Sequence, residues 1–310
     1  MKLRPQALKP GNIIGVISPA SPITKDNVDS FEEGLIRLKG LGYKILLGKH
    51  TYYNNGYLAG TDKQRAYDLM EMFNNKDVSA IICSRGGYGT ERLINNIDLD
   101  VVVKNPKIFI GYSNITFLLN VFSQYADIIT FHGPTVKDIG TDTEGYNVNF
   151  LINTITLQKN TYRISPSTCS KFISLVSGKC TGILMGGNLT TLISSIGTCY
   201  EVDTKGKILL LEDVNESAYR IDRMLTILKS SGKLDDCSGI IIGDFTNCEN
   251  SYGRSVFDVL NDILVPLGKP AIYNVPAGHG HYNVTLPIGA RIELDSISRT
   301  ITVLESVVML

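Results

Sequence analysis

Apolar and polar positions follow one rhythm in the first half of this chain and another in the second. Asn12 to Ile17 (NIIGVI) is a continuous apolar run ending in the polar loop SPAS, the pattern of a fully buried strand. Lys25 to Leu41 carries apolar residues at helical spacing and stops at Gly42, a suitable C′ residue. KILLGKH predicts a second strand, followed by a tyrosine-rich loop, TYYNNGYLAGT. A helix over Lys63 to Asn74 precedes the third strand, VSAIICS, and then a glycine-rich turn, SRGGYG, with a helix from near Thr90. IFIGYS is the fourth strand and DIITFHG the fifth. Strands alternating with helices of this length predict an α/β domain over residues 1–140, built on a doubly wound parallel sheet. Ligands of such sheets sit beyond the carboxyl ends of the strands, where SPAS, SRGGYG, GYSN and FHGP all emerge.

Periodicity weakens from Lys137 to Ser170, where Gly, Asp, Asn and Thr are abundant, and residues 141–170 are expected to be a linker. Beyond it, CTGILMGGN, GKILLLED, SGIIIGDF, GARIELD and TITVLES are strand candidates, and Ser217 to Ser230 is a helix closed by Gly232. The last two strands are joined by SISR alone, so they pair antiparallel. Residues 171–310 are therefore expected to form a mixed, β-rich α+β domain.

Composition narrows the class. A chain of 310 residues suits two domains, and 43% apolar against 19% charged residues is a globular balance. Thirty basic and thirty acidic residues cancel, which argues against a nucleic-acid groove or an anionic membrane as partner. The start, MKLRPQALKPG, has no apolar signal core, and no later run reaches the roughly 18 apolar residues of a membrane span. Cysteines 83, 169, 180, 199, 237 and 248 include no C-x-x-C pair, as expected for reduced thiols in the cytoplasm without a zinc site.

Four stretches could carry chemistry. In PKIFIGYSNITFLLNVFSQ, Ser113 falls where a strand turns into a helix. That is the setting of a nucleophile elbow, although Ile115 stands where the usual elbow has Gly; a serine N-cap fits the same letters. SRGGYGTER suits a tight βα turn, an anion-binding loop or an oxyanion hole, but it matches neither G-K-[ST] nor G-x-G-x-x-G. Arg85 beside it would suit a substrate carboxylate. LLLEDVNESAYRIDR places Glu212 at a strand end, with Glu216 suited to the first turn of the next helix, or else forms a solvated acidic loop. VPAGHGHYNVTLPIG holds His279 and His281, better suited to general base catalysis than to metal binding; His132 in TFHGP competes for that role.

Taken in order, NIIGVISPAS, SRGGYGTERLINNID, IGYSNIT, TFHGP, GGNLTTL, LEDVNESAYRIDR and GHGHYNVTLPIGA resemble the LD-carboxypeptidases, serine peptidases that cleave an L,D-peptide bond in murein fragments. The resemblance spans nearly the whole chain. It implies an N-terminal flavodoxin-like α/β domain carrying the nucleophile Ser113. A C-terminal β-rich domain would carry Glu212, which orients the base, and His279, the base itself. The site would then lie at the domain interface. The resemblance also implies an oxyanion hole from the backbone N–H groups of Gly87 and Asn114, where the family commonly has Asp in place of Asn114. No cofactor or metal is implied. The implied setting is a cytoplasmic homodimer that acts on muropeptides ending in D-Ala, in cell-wall recycling. Relatives giving self-immunity to microcin C share the three residues and cleave an aminoacyl-nucleotide analogue, a second expectation. A third is a non-catalytic protein that captures a small anion at SRGGYG.

Overall fold

The structure is a computed structural model describing residues 2–164 and 171–310, and its internal contacts group into two compact units. One runs to Gln158 and takes back Val284–Pro287 and Ser306–Leu310; the other holds Lys159–Asn283 and Ile288–Glu305. Strands of the first half are β1 (Ile13–Ile17), β2 (Lys44–Leu47), β3 (Val78–Cys83), β4 (Ile108–Gly111) and β5 (Thr130–His132). Between and after them lie α1 (Val28–Gly40), α2 (Asp62–Asn74), α3 (Leu99–Lys104), α4 (Thr116–Tyr125), α5 (Val136–Thr141) and α6 (Tyr146–Thr156). The second half runs β6 (Tyr162–Ile164), β7 (Ile173–Val176), β8 (Lys179–Asn188), α7 (Leu189–Ser195), β9 (Ile208–Val214), α8 (Ala218–Ser230) and α9 (Lys233–Asp236). It closes with β10 (Gly239–Thr246), α10 (Val256–Leu264), β11 (Ala271–Tyr273), β12 (Leu286–Ile288), β13 (Arg291–Asp295) and β14 (Thr300–Val303).

In the first unit the sheet order is β12-β5-β4-β3-β1-β2, and every pair from β2 to β5 is parallel. Leaving out β12, the order 2-1-3-4-5 is the flavodoxin-like arrangement. The inner strands are covered on both faces, so their residues are apolar without alternation: Ile14, Val16 and Ile17 of β1 and Ile108 to Ile110 of β4 have no exposed surface. Helix α2 begins on a capping box, in which Gln64 donates its N–H to the Thr61 hydroxyl and accepts from the Thr61 N–H. Helices α1 and α5 meet through glycines. A Cβ on Gly140 would lie 1.7 Å from the Ser30 carbonyl, and one on Gly34 would lie 2.0 Å from that of Val136.

The second unit has an eight-stranded sheet in the order β6-β14-β13-β8-β9-β10-β11-β7. Its centre, β8 to β11, is parallel, and both flanks are antiparallel, including the β13–β14 hairpin expected from the short SISR connection. Three details differ from expectation. The helix after SRGGYG is a 3₁₀ stretch, Glu91–Asn96, because a separate helix starts again at Asp98, whose carboxylate accepts the Asp100 N–H. Within the stretch expected as a linker, Tyr146–Thr156 is helical and buries Val148, Leu151 and Ile155, while 165–170 lies outside the described residues. The LPI of the last histidine-bearing motif forms β12, an edge strand of the first sheet. Among the described residues no helix is long and apolar enough to cross a membrane.

Gly140→Ala should lower stability by about 1–3 kcal/mol, since the obstructing atom is backbone and the two helices must part. Urea unfolding of the variant checks this, and an unchanged midpoint would mean the helices are not packed through these glycines.

Candidate active site

The first unit presents the elbow. Strand β4 ends at Gly111, Tyr112 is fully extended, and Ser113 turns into the left-handed region with φ 60°. A 3₁₀ turn over Ser113–Ile115 then leads into α4. Left-handed backbone is uncommon outside Gly and costs a side chain strain. Two glycines make room for it. A Cβ on Gly86 would lie 2.7 Å from the Ser113 Cβ and 2.9 Å from its Oγ. A Cβ on Gly111 would lie 2.8 Å from a methyl of Ile115. Ile115 therefore stands where the usual elbow has Gly because Gly111, on the other side of the serine, leaves it the space. Ser113 is half-buried and caps no helix with its side chain.

Asn114 ties the elbow to the glycine-rich turn. Its side chain accepts the Thr90 N–H at 2.8 Å and donates to both Glu91 carboxylate oxygens at 2.8 and 3.0 Å. The Thr90 hydroxyl donates to the Asn114 carbonyl at 2.7 Å. An aspartate at 114 would face the Glu91 carboxylate with a like charge, so this chain's Asn is matched to its Glu91. The Gly87 backbone is left-handed at φ 121° and packs on Ser21, whose hydroxyl accepts the Tyr88 N–H. Arg85, half-buried, donates from Nη1 to the Pro22 carbonyl at 3.1 Å. Arg65, which sequence reasoning passed over, is fully buried and binds the carbonyls of Pro19 and Gly89, fastening SPAS to the far side of the turn. His132 is wholly buried in β5 and lies edge-on to the Tyr112 ring, a core position.

The second unit presents an acid and a base. Glu212, at the carboxyl end of β9, has no exposed surface, and its Oε2 lies 2.8 Å from His279 Nδ1. Burial pushes the Glu212 carboxyl above its ordinary range, and the hydrogen bond to His279 pulls it back. The next residue, Asp213, points to the opposite face and is fully occupied. It accepts from Asn188 Nδ2, the Val214 N–H, and the N–H and hydroxyl of Thr190, so it anchors the start of α7. Glu216 pairs with Arg220 one helical turn on, at 3.4 Å. His281 is exposed and lies edge-on to the Tyr282 ring. Among the described residues no group of three or more His, Cys, Asp or Glu could hold a metal ion.

Sequence reasoning missed a third acid. Asp244 on β10 has a buried Oδ2, and a Cβ on Gly280 would lie 2.4 Å from that oxygen. On the other side of His279, a Cβ on Gly278 would lie 2.5 Å from the Glu212 Oε2. The glycines of GHGH therefore let the loop close onto two carboxyl groups. Burial, with the neighbouring Glu212 charge adding to it, pushes the Asp244 carboxyl up to about 7. The signal was present in SGIIIGDF, an acid closing an apolar strand as in LLLED. Ser113, Asn114, Gly86 and Gly87 are thus assembled in one unit, and Glu212, Asp244 and His279 in the other.

Family models described as the LD-carboxypeptidase N-terminal and C-terminal domains match residues 14–133 and 181–294. A protein of Bacillus subtilis (strain 168) named "Probable murein peptide carboxypeptidase" is 40% identical over 310 residues, covering 97% of this chain and 94% of the relative. A solved structure of the microcin C7 self-immunity protein MccF, in complex with aspartyl sulfamoyl adenosine, superposes with a TM-score of 0.91 at 28% identity, covering 99% of both chains. The muramoyltetrapeptide carboxypeptidase of Oxalobacter formigenes gives 0.79 at 28% identity, covering 94% of this chain and 97% of that one.

Asn114→Asp should cost about 1.5–3 kcal/mol of stability, and Glu91→Gln in the same chain should recover most of it, because Gln can donate to the new carboxylate. A double-mutant cycle in urea checks this; purely additive losses would refute the pairing. An unfolded aspartate loses its proton near pH 4, whereas folded Asp244 keeps it to about 7, so folding stability should fall as pH rises across that interval. Asp244→Asn should therefore gain stability relative to the parent between pH 4 and pH 8, read as the difference in unfolding midpoints.

Proposed function

The chain belongs to the LD-carboxypeptidase family, and from that premise we propose that it is a serine carboxypeptidase releasing terminal D-alanine from murein tetrapeptides. The observation that carries the reading is the 2.8 Å contact between His279 Nδ1 and the buried Glu212 carboxylate. A carboxylate on Nδ1 fixes the tautomer, so Nε2 is the nitrogen that accepts a proton. In the proposed reaction His279 takes the Ser113 proton as Oγ attacks the carbonyl preceding the D-amino acid. The N–H groups of Gly87 and Asn114 hold the oxyanion, at about 2.7–4 kcal/mol per donor in comparable sites. The imidazolium, stabilised by Glu212, then protonates the leaving amine, and water releases the acyl group from Ser113 by the reverse relay. Arg85 is proposed to receive the terminal carboxylate, a planar group suited to a guanidinium.

The domain arrangement belongs to the same proposal: a nucleophile-bearing domain over 1–140, a linker over 141–170 and an acid- and base-bearing domain over 171–310. So does the setting, a cytoplasmic homodimer. The near neutrality of the chain supports a small peptide over nucleic acid as partner. The likeness to MccF bound to aspartyl sulfamoyl adenosine supports a second reading, in which the same three residues cleave an aminoacyl-nucleotide analogue.

Turnover of a murein tetrapeptide and of an aminoacyl sulfamoyl adenylate, measured side by side, separates the two. The first reading expects D-alanine release, with a loss on the order of 10⁶-fold in kcat in Ser113→Ala and in His279→Ala. A fluorophosphonate should label Ser113 in the parent and fail in His279→Ala. Release of D-alanine that survives Ser113→Ala would overturn the triad. Tight anion binding without turnover of either substrate would make the chain a binding protein.

A further inference from the structure

Asp244, half-buried with its Oδ2 inaccessible, is an acid that the proposed reaction leaves unused, and it is built against the base. The end of β10 and the histidine loop run side by side: Val275 donates its N–H to the Ile242 carbonyl at 3.1 Å, and Asp244 donates its own to the Ala277 carbonyl at 2.9 Å. Gly243 closes the gap, since a Cβ there would lie 2.3 Å from the Ala277 carbonyl and 3.0 Å from the Glu212 Cβ. The Asp244 carboxyl then fills the space that any side chain on Gly280 would need. Backbone and side chain of one residue therefore grip the loop on either side of His279.

We propose that Asp244 is a positioning residue for His279: its carboxyl seats the Gly278–Gly280 turn, and its ionisation changes the charge that the imidazole feels. The inference rests on the reading of His279 as the base. The ionisable groups facing Asp244 are Glu212 from β9, Tyr273 from β11 and His279 from the loop. Burial and the Asp244 charge, in that order, push the Tyr273 phenol up, and Glu212 repels the Asp244 carboxylate. His279 is the one group among them that attracts it. Because Asp244 loses its proton near neutrality, the base meets one neighbouring carboxylate in mild acid and two in mild alkali. A second anion favours the imidazolium, so it raises the proton affinity of the resting base and supports the charge that forms on it.

The test follows the His279 ring protons by NMR across pH 5–9 in the free protein, with His50, His132 and His281 as internal references. In Asp244→Asn the His279 midpoint should fall by about half a unit or more, because removing an anion disfavours the charged ring. The acid limb of kcat/KM should move down with it. Gly280→Ala displaces the turn while keeping the charge, so kcat should fall with the midpoint in place. If Asp244→Asn does not fold, Asp244→Ser makes the same demand. An unchanged His279 midpoint in the uncharged variant would overturn the proposal, as would an equal fall in Gly280→Ala. A midpoint that falls as expected in a protein inactive on muropeptides would count against the carboxypeptidase reading and leave this one standing.

Discussion

A carboxylate with no exposed surface has lost its hydration, and something must replace it. Glu212 is in that position, and what replaces water is the His279 ring at 2.8 Å. The local architecture of the second unit follows from this contact. Parallel β8, β9 and β10 hold Glu212 at a strand end in the sheet interior, where its backbone cannot shift. The loop bearing His279 must then come close enough to meet it. A side chain at 243, 278 or 280 would collide with the Ala277 carbonyl, the Glu212 carboxylate or the Asp244 carboxyl respectively, so all three are glycine. These glycines serve close approach, and only Gly278 among them also needs a left-handed backbone.

Three acids lie at the carboxyl ends of adjacent strands and meet three fates. Glu212 and Asp213 are consecutive, so strand alternation sends one toward the histidine loop and the other toward α7. Asp213 collects four hydrogen bonds and is part of the scaffold. Asp244, one strand over, shares the loop with Glu212, and the repulsion between the two is one reason it holds its proton toward neutrality. Residue type does not distinguish these roles. The direction of the side chain and the supply of donors do.

That is also why the chain was only partly legible. The parallel sheet of the first half could be read because its strands are apolar on both faces and its helices have clear stops, as at Gly42. The elbow could be located because a strand pattern meets a helix pattern at Ser113. Short strands such as YRI and AIY escaped, since three residues carry no periodicity. The helix in YNVNFLINTIT escaped because its Asn and Thr residues mask the spacing of Val148, Leu151 and Ile155. LPI lies within a histidine motif, and nothing local shows that it pairs with a sheet whose other strands end some 150 residues earlier. Asp244 was visible as a letter and invisible as a neighbour, because only the pairing of β9 with β10 brings it to Glu212.

Ser113 admits a sharper argument than its sequence did. A serine that caps a helix takes extended backbone angles and accepts an N–H two or three residues on. Ser113 has φ 60° and no such bond. Left-handed backbone at a residue other than Gly costs on the order of 1–3 kcal/mol and persists only where the surroundings enforce it. Here they do: Gly86 leaves the Ser113 side chain the space it occupies, and Ile115 packs onto Gly111. Asn114 pins the next residue to Thr90 and Glu91. Four residues that hold a hydroxyl in an unfavourable conformation contribute nothing to a cap that Asn or Asp would make as well. They are intelligible if the position of that oxygen, and not the helix behind it, is what the segment is built to maintain.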